Sequence, residues 1–215
     1  MPFHDELLHA TETTRREFQA IPTLVRGAQG AISNNAYLEF LTQAYHHVKH
    51  TVPLLMACGA RLPSKLDWLR ESVAHYIEEE IGHERWILND ITAAGGNAEA
   101  VRNGDPNIST ELMVAYAYDC IARRNPVAFF GMVQVLEGTS VQFATTAADA
   151  IQDRLGLPST AFSYLRSHGS LDQEHIVFFR DLIDKLDDPK DQEAVTHTTN
   201  VFYRLYGDVF RSIPV

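Results

Sequence analysis

Cysteine is scarce: the 215-residue chain has two, Cys58 and Cys120, far apart and in no C-x-x-C arrangement. That argues against a disulfide framework and makes a reducing cytoplasm the expected compartment. Basic charge is scarce too. Eighteen lysines and arginines face 28 acids, for a formal net charge of −10, and no basic run offsets them. A nucleic-acid backbone or an anionic membrane surface is therefore not an expected partner. No uninterrupted apolar run reaches the roughly 18 residues that a membrane-spanning helix needs. Near the start, Asp5 and Glu6 stand where a secretory signal would carry positive charge. Strand-like alternation is also missing.

What is present is helical periodicity almost everywhere, with an apolar fraction of 45%, enough for one sizeable core. Breakers divide it. The pattern predicts a first helix from about Pro2 to Ala20, stopping before Pro22, and a loop at Gly27 and Gly30. A second follows from a cap at Ser33 or Asn34 to about Ala60, with Pro53 expected to kink or break it. The third runs from Pro63–Ser64 to about Ala93, ended by Gly95–Gly96. After a polar loop (Asn97 to Asn107), Ser109 is the expected cap of a fourth, through Arg124. Asn125–Pro126 opens a fifth, ending near Gly156. The sixth spans Pro158–Ser159 to about Leu186, and the last Lys190 to Ile213. No linker divides the chain, so residues 1–215 are expected to form a single all-α domain of about seven helices.

Three of these helices carry an anomaly. In the sixth, Leu165, His168, Asp172, His175, Phe179, Leu182 and Leu186 recur at spacings of three and four, along one side. The ends of that stripe are apolar and its middle is ionisable. In the third, Leu66, Leu69, Val73, Tyr76, Glu80, His83 and Ile87 repeat the pattern; Glu78 and Glu79 point off the stripe, while Glu80 lies on it. In the fifth, Phe130, Val133, Glu137, Val141 and Ala144 hold one charge. Burying such groups uncompensated costs several kcal/mol each. A metal ion compensates them directly. Glu80, His83, Glu137, His168, Asp172 and His175 are the candidate ligands, and two carboxylate-x-x-His pairs on separate helices are how helical proteins hold two iron or manganese ions. Three carboxylates against two divalent cations leave about +1, which favours an anionic group at the open positions. A donor set without thiolates argues against structural zinc. A single histidine on an apolar face is usually a hydrogen-bonded core residue; three helices repeating the pattern outweigh that reading.

Other residues carry weaker signals. His46, His47 and His50, with Glu39 earlier on the helix, read either as contacts above the metals or as a partly exposed face, the second being preferred. Tyr76 is a ligand partner or a core aromatic. Asp90 orients an imidazole or sits near a helix end. Arg123 and Arg124 steer an anion or occupy an exposed terminus.

The motifs His-x-x-x-Asp-x-x-His (168–175), Glu-Glu-x-Gly-His (79–83) and Leu-Glu-Gly (136–138) resemble the haem-oxygenase-like di-metal oxidases, relatives of TenA and the PQQ-forming oxidase PqqC. The resemblance extends over nearly the whole chain, through Tyr37, Phe40 and Leu41, Tyr45-His46-His47, and Tyr203 to Tyr206. It implies a seven-helix haem-oxygenase-like bundle and the same six ligands, with Glu80 preferred over Glu79. It further implies two iron ions (or manganese) and O2 as co-substrate. The expected activity is a non-haem di-iron oxidase or oxygenase acting on a small amine, amino acid or fatty acid, with an electron donor and a homodimeric state. A haem oxygenase would need a proximal histidine in the first helix, where only His4 and His9 stand, and a thiaminase a mid-chain cysteine, where Cys120 falls too early. The alternative is a metal-independent TenA/PqqC-like small-molecule binding protein or enzyme.

Overall fold

In the computed structural model, residues 1–214 are described, the side chains of 170–174 excepted. Every described element is helical. The first expected helix is two, α1 (Phe3–Ala10) and α2 (Glu12–Gln19), followed by a short α3 (Pro22–Ala28). The second is α4 (Asn34–Val48) and α5 (Thr51–Arg61); the third is α6 (Asp67–Glu80) and α7 (His83–Ala93). The one-and-a-half-turn α8 (Ala98–Asn103) lies in the expected loop, and α9 (Ile108–Asp119) runs into a π turn at Cys120–Arg124. α10 (Phe130–Leu155), α11 (Ser163–Ile183) and α12 (Pro189–Ser212) complete the chain.

Local chemistry explains the boundaries. Ser33 is the cap of α4, its Oγ accepting the Ala36 N–H at 3.1 Å. Pro53 acts by breaking: α4 stops at Val48 and α5 restarts at Thr51, which puts the proline in a first turn, where its missing N–H has no intrahelical partner to lose. The fourth helix begins earlier than expected because Asn107, not Ser109, supplies the cap, accepting the Thr110 N–H at 3.0 Å. Asn125 caps the turn Pro126–Phe129 through the Val127 N–H at 3.0 Å, and that turn feeds α10. Asp188 caps α12, with Pro189 in its first position.

α10 is the axis, packed along α11, α12 and α3, while α5 lies on α6 and α4 on α7 and α9. Its most apolar window, within 126–155, is long and apolar enough to cross a membrane, yet 56% of it is buried inside the fold. Two apolar clusters form. One is built around Leu54, Leu69, Phe130, Phe179 and Phe202; the other around Tyr37, Leu41, Ile87, Ala148 and Phe162. Truncating a buried aromatic such as Phe202 to alanine would cost about 3–5 kcal/mol. At Gly169 a Cβ would collide with the Thr145 side chain of α10, so the glycine sets how closely α11 approaches α10.

Candidate metal centre

The site begins at a break. One helix was expected through Glu80 and His83, but α6 ends at Glu80 and α7 starts at His83. Between them Ile81 is extended and Gly82 takes φ +94°, a left-handed conformation that only glycine adopts cheaply. The stripe nevertheless stays buried through the break: Tyr76 is 2% exposed, Glu80 9%, His83 5% and Ile87 0%. Glu80 and His83 turn toward one another, with His83 Nδ1 3.1 Å from Glu80 Oε2. The break also concentrates charge. The last turn of α6 holds Glu78, Glu79 and Glu80 and no basic residue, where the helix dipole disfavours anions.

His168 reaches this junction from α11. Asp90 of α7 starts that helix: its carboxylate accepts the Ser163 N–H at 3.0 Å, the Tyr164 N–H at 2.8 Å and the Ser163 hydroxyl. Burial pushes the Asp90 carboxyl up, and these three hydrogen bonds partly offset it. Asp90 thus neither orients a ligand imidazole nor merely ends a helix; it caps one. One turn on, His168 sits edge-on to His83 at 5.0 Å between ring centroids and to Tyr164 at 4.8 Å. One donor atom each from Glu80, His83 and His168 lies within 4.8 Å of the others. Trp86 covers the group, stacked on His83 at 4.0 Å and 24°.

Glu137, 9% exposed on α10, lines the same cavity as Glu80 and His168. Burial, the adjoining Glu137 carboxylate, and then Glu80 and Glu79 raise the Tyr76 hydroxyl well above the usual phenol range, so it stays protonated. The cavity extends from these groups between α4 and α10. Leu24, Ile32, Phe40, Val133, Phe143 and Ile151 are among its mainly apolar lining. It contains residues of both apolar clusters, lying where the two meet.

His175, 4% exposed, sits edge-on to Tyr76 at 6.0 Å between centroids; its Nε2 lies 3.2 Å from Glu79 Oε2, while Glu79 Oε1 lies 3.4 Å from His75 Nε2. Asp172 lies outside the described residues. Of the six candidates, the structure brings Glu80, His83 and His168 together, sets Glu137 in the adjoining cavity, and puts His175 against Glu79. Arg123 and Arg124 pair with Asp119 at 2.5 and 3.7 Å, as an exposed helix terminus would.

The preferred reading of the α4 histidines is overturned. His46 is 1% and His47 2% exposed, because α7 and α9 cover α4; only His50 is half-buried, its Nδ1 3.1 Å from the Tyr118 hydroxyl. His47 lines the cavity. Its burial, with His168 nearby, pushes its imidazole down to about 3 and keeps it neutral. Histidine is intermediate between buried and exposed residue types, so nothing in the sequence pattern separated the two.

A divalent cation fits this donor set. Two imidazoles and a carboxylate converge without a thiolate, no Lys or Arg pairs with Glu80 among the described residues, and the acidic end of α6 favours positive charge.

The fold has many solved relatives. A domain of unknown function with a haem-oxygenase-like fold from Shewanella denitrificans OS217 is 22% identical, with 99% of this chain and 92% of that one covered at a TM-score of 0.85. A TenA homologue from Pseudomonas syringae pv. tomato DC3000 is 9% identical over 97% and 91%, at 0.82. Haem oxygenase-1 from Synechocystis sp. PCC 6803, in complex with haem, is 13% identical over 98% and 91%, at 0.74. At these identities the likeness shows the shared all-α haem-oxygenase-like fold. No curated protein matches the sequence significantly. The family pattern described as "iron-containing redox enzyme" matches residues 38–207, most of the chain, and the chain belongs to that family.

Proposed function

We propose that the protein is a non-haem di-iron oxidase or oxygenase that uses O2 on a small substrate with an extended apolar part. The observation that carries this reading is the convergence of Glu80, His83 and His168 at an apolar cavity. Glu80, His83, Glu137, His168, Asp172 and His175 are the residues proposed to hold two iron ions, with manganese the alternative. Bound ferrous iron would supply the electrons and the open coordination positions that O2 chemistry requires.

The chain's own residues do the rest. The apolar lining keeps water from the reacting carbon and strengthens every polar contact inside. Tyr76 retains its proton beside Glu137 and so can donate a hydrogen bond to that carboxylate. Gly82 lets Glu80 and His83 face one another across the junction of two helices. Among the amine, amino acid and fatty acid classes, the lining favours a substrate with a hydrocarbon chain, since no Lys or Arg lines the cavity among the described residues.

Anaerobic loading with ferrous iron, followed by elemental analysis, tests the proposal. About two irons per chain are expected. Retention of no metal, together with an organic ligand that co-purifies, would instead support a metal-independent binding protein.

A further inference from the structure

We infer that His47 anchors the polar head of the substrate, its imidazole hydrogen-bonding that head while the apolar chain lies along the cavity between α4 and α10. The inference rests on the oxidase reading above and adds to it which residue reads the substrate.

His47 is 2% exposed, and its Nδ1 is buried with no hydrogen-bond partner among the described residues. Leaving such a group unsatisfied costs about 1–3 kcal/mol, so it is retained at a stability loss unless something else bonds to the ring. Its position says what that is. His47 lines the cavity that Glu80, Glu137 and His168 also line, yet it stands outside the donor cluster of Glu80, His83 and His168. Its ring is fixed edge-on to Tyr206 at 5.7 Å between centroids. It is therefore a preset polar group beside the proposed metals and not one of their ligands.

Tyr76 is the rival for this role, its hydroxyl likewise without a hydrogen-bond partner among the described residues, but it sits beside the Glu137 and Glu80 carboxylates of the proposed ligand set. With no Lys or Arg in the lining among the described residues, the His47 imidazole is left to select a head that can hydrogen-bond. Along α4 the lining runs from Ala36 through Phe40 to His47. At 1.5 Å per residue that is about 16 Å of helix, room for an extended chain beyond the anchored head.

The test compares decanoate with decane, ligands of equal chain length with and without a head, by calorimetry on iron-loaded protein held anaerobically. His47→Ala should weaken decanoate about tenfold and change decane less than about twofold, the cost of one hydrogen bond. His47→Gln, which keeps a donor and an acceptor, should recover much of the loss. Equal weakening of both ligands would make His47 a packing residue and overturn the inference. So would unchanged decanoate binding, or a wild-type protein that binds decane as well as decanoate. Iron is counted on the same samples. A wild-type chain that takes up none fails the oxidase reading alone, and the same ligand pair on metal-free protein still decides the role of His47.

Discussion

Asp90 accepts the backbone N–H of Tyr164 at 2.8 Å across 74 residues of chain, joining the helix that begins with His83 to the helix that carries His168. The bond fixes the distance between two candidate ligands without touching either. Asp90→Ala would orphan two buried N–H groups at the start of α11 and should cost about 2–4 kcal/mol, read as a lower urea midpoint. Iron affinity should fall with it. An unchanged midpoint would show that α11 starts without this cap.

His83→Ala and His168→Ala each remove an imidazole from the triad. Either should lower bound iron from about two per chain to about one or less, with the circular dichroism spectrum retained. Iron counts equal to wild type in both variants would place the metals elsewhere.

Gly82→Ala forces a side chain into φ +94° between Glu80 and His83. The strain should cost about 1–2 kcal/mol and lower Tm by roughly 3–6 °C in differential scanning calorimetry. Because the two candidate ligands flank the residue, metal affinity should drop more than the stability loss alone explains.

Trp86 stacks on His83 at 4.0 Å, and the chain's other tryptophan, Trp68, lies on α6. In Trp68→Phe protein, added iron should quench the remaining fluorescence and saturate at the stoichiometry found by elemental analysis. In Trp86→Phe protein the Trp68 signal should respond weakly.

Acid should destabilise the metal-free protein through His47. Its folded pKa, lowered to about 3, lies below the value near 6.5 of an unfolded imidazole, so the unfolded chain binds the extra proton. The contribution is full above pH 6.5 and is lost as pH falls toward 3, by up to about 1.4 kcal/mol per pH unit. Between pH 6 and 4.5 the urea midpoint of His47→Phe should decline less steeply than that of wild type.

The stripes of the third, fifth and sixth helices were legible because burial leaves a three-and-four rhythm that survives even a break in the backbone. Leu69, Val73 and Tyr76 are inside as that rhythm requires. Val141 departs from it, 37% exposed on a face expected to be buried. The break itself was illegible, since one glycine within a helical pattern costs only about 1 kcal/mol and rarely ends a helix. His47 was missed for a different reason: which side of α4 is covered depends on α7 and α9, whose placement no local pattern specifies. The attachment of His175 to Glu79 likewise depends on how α6 and α11 meet.

The far reach of the cavity is paved with small side chains, Gly27, Ala28, Ala36 and Ala147 among them, on three separate helices. None belongs to the proposed ligand set. For the proposed substrate the ruler would thus be built apart from the chemistry: enlarging one side chain in that wall should shorten the guest that fits, while the candidate ligands stay as they are.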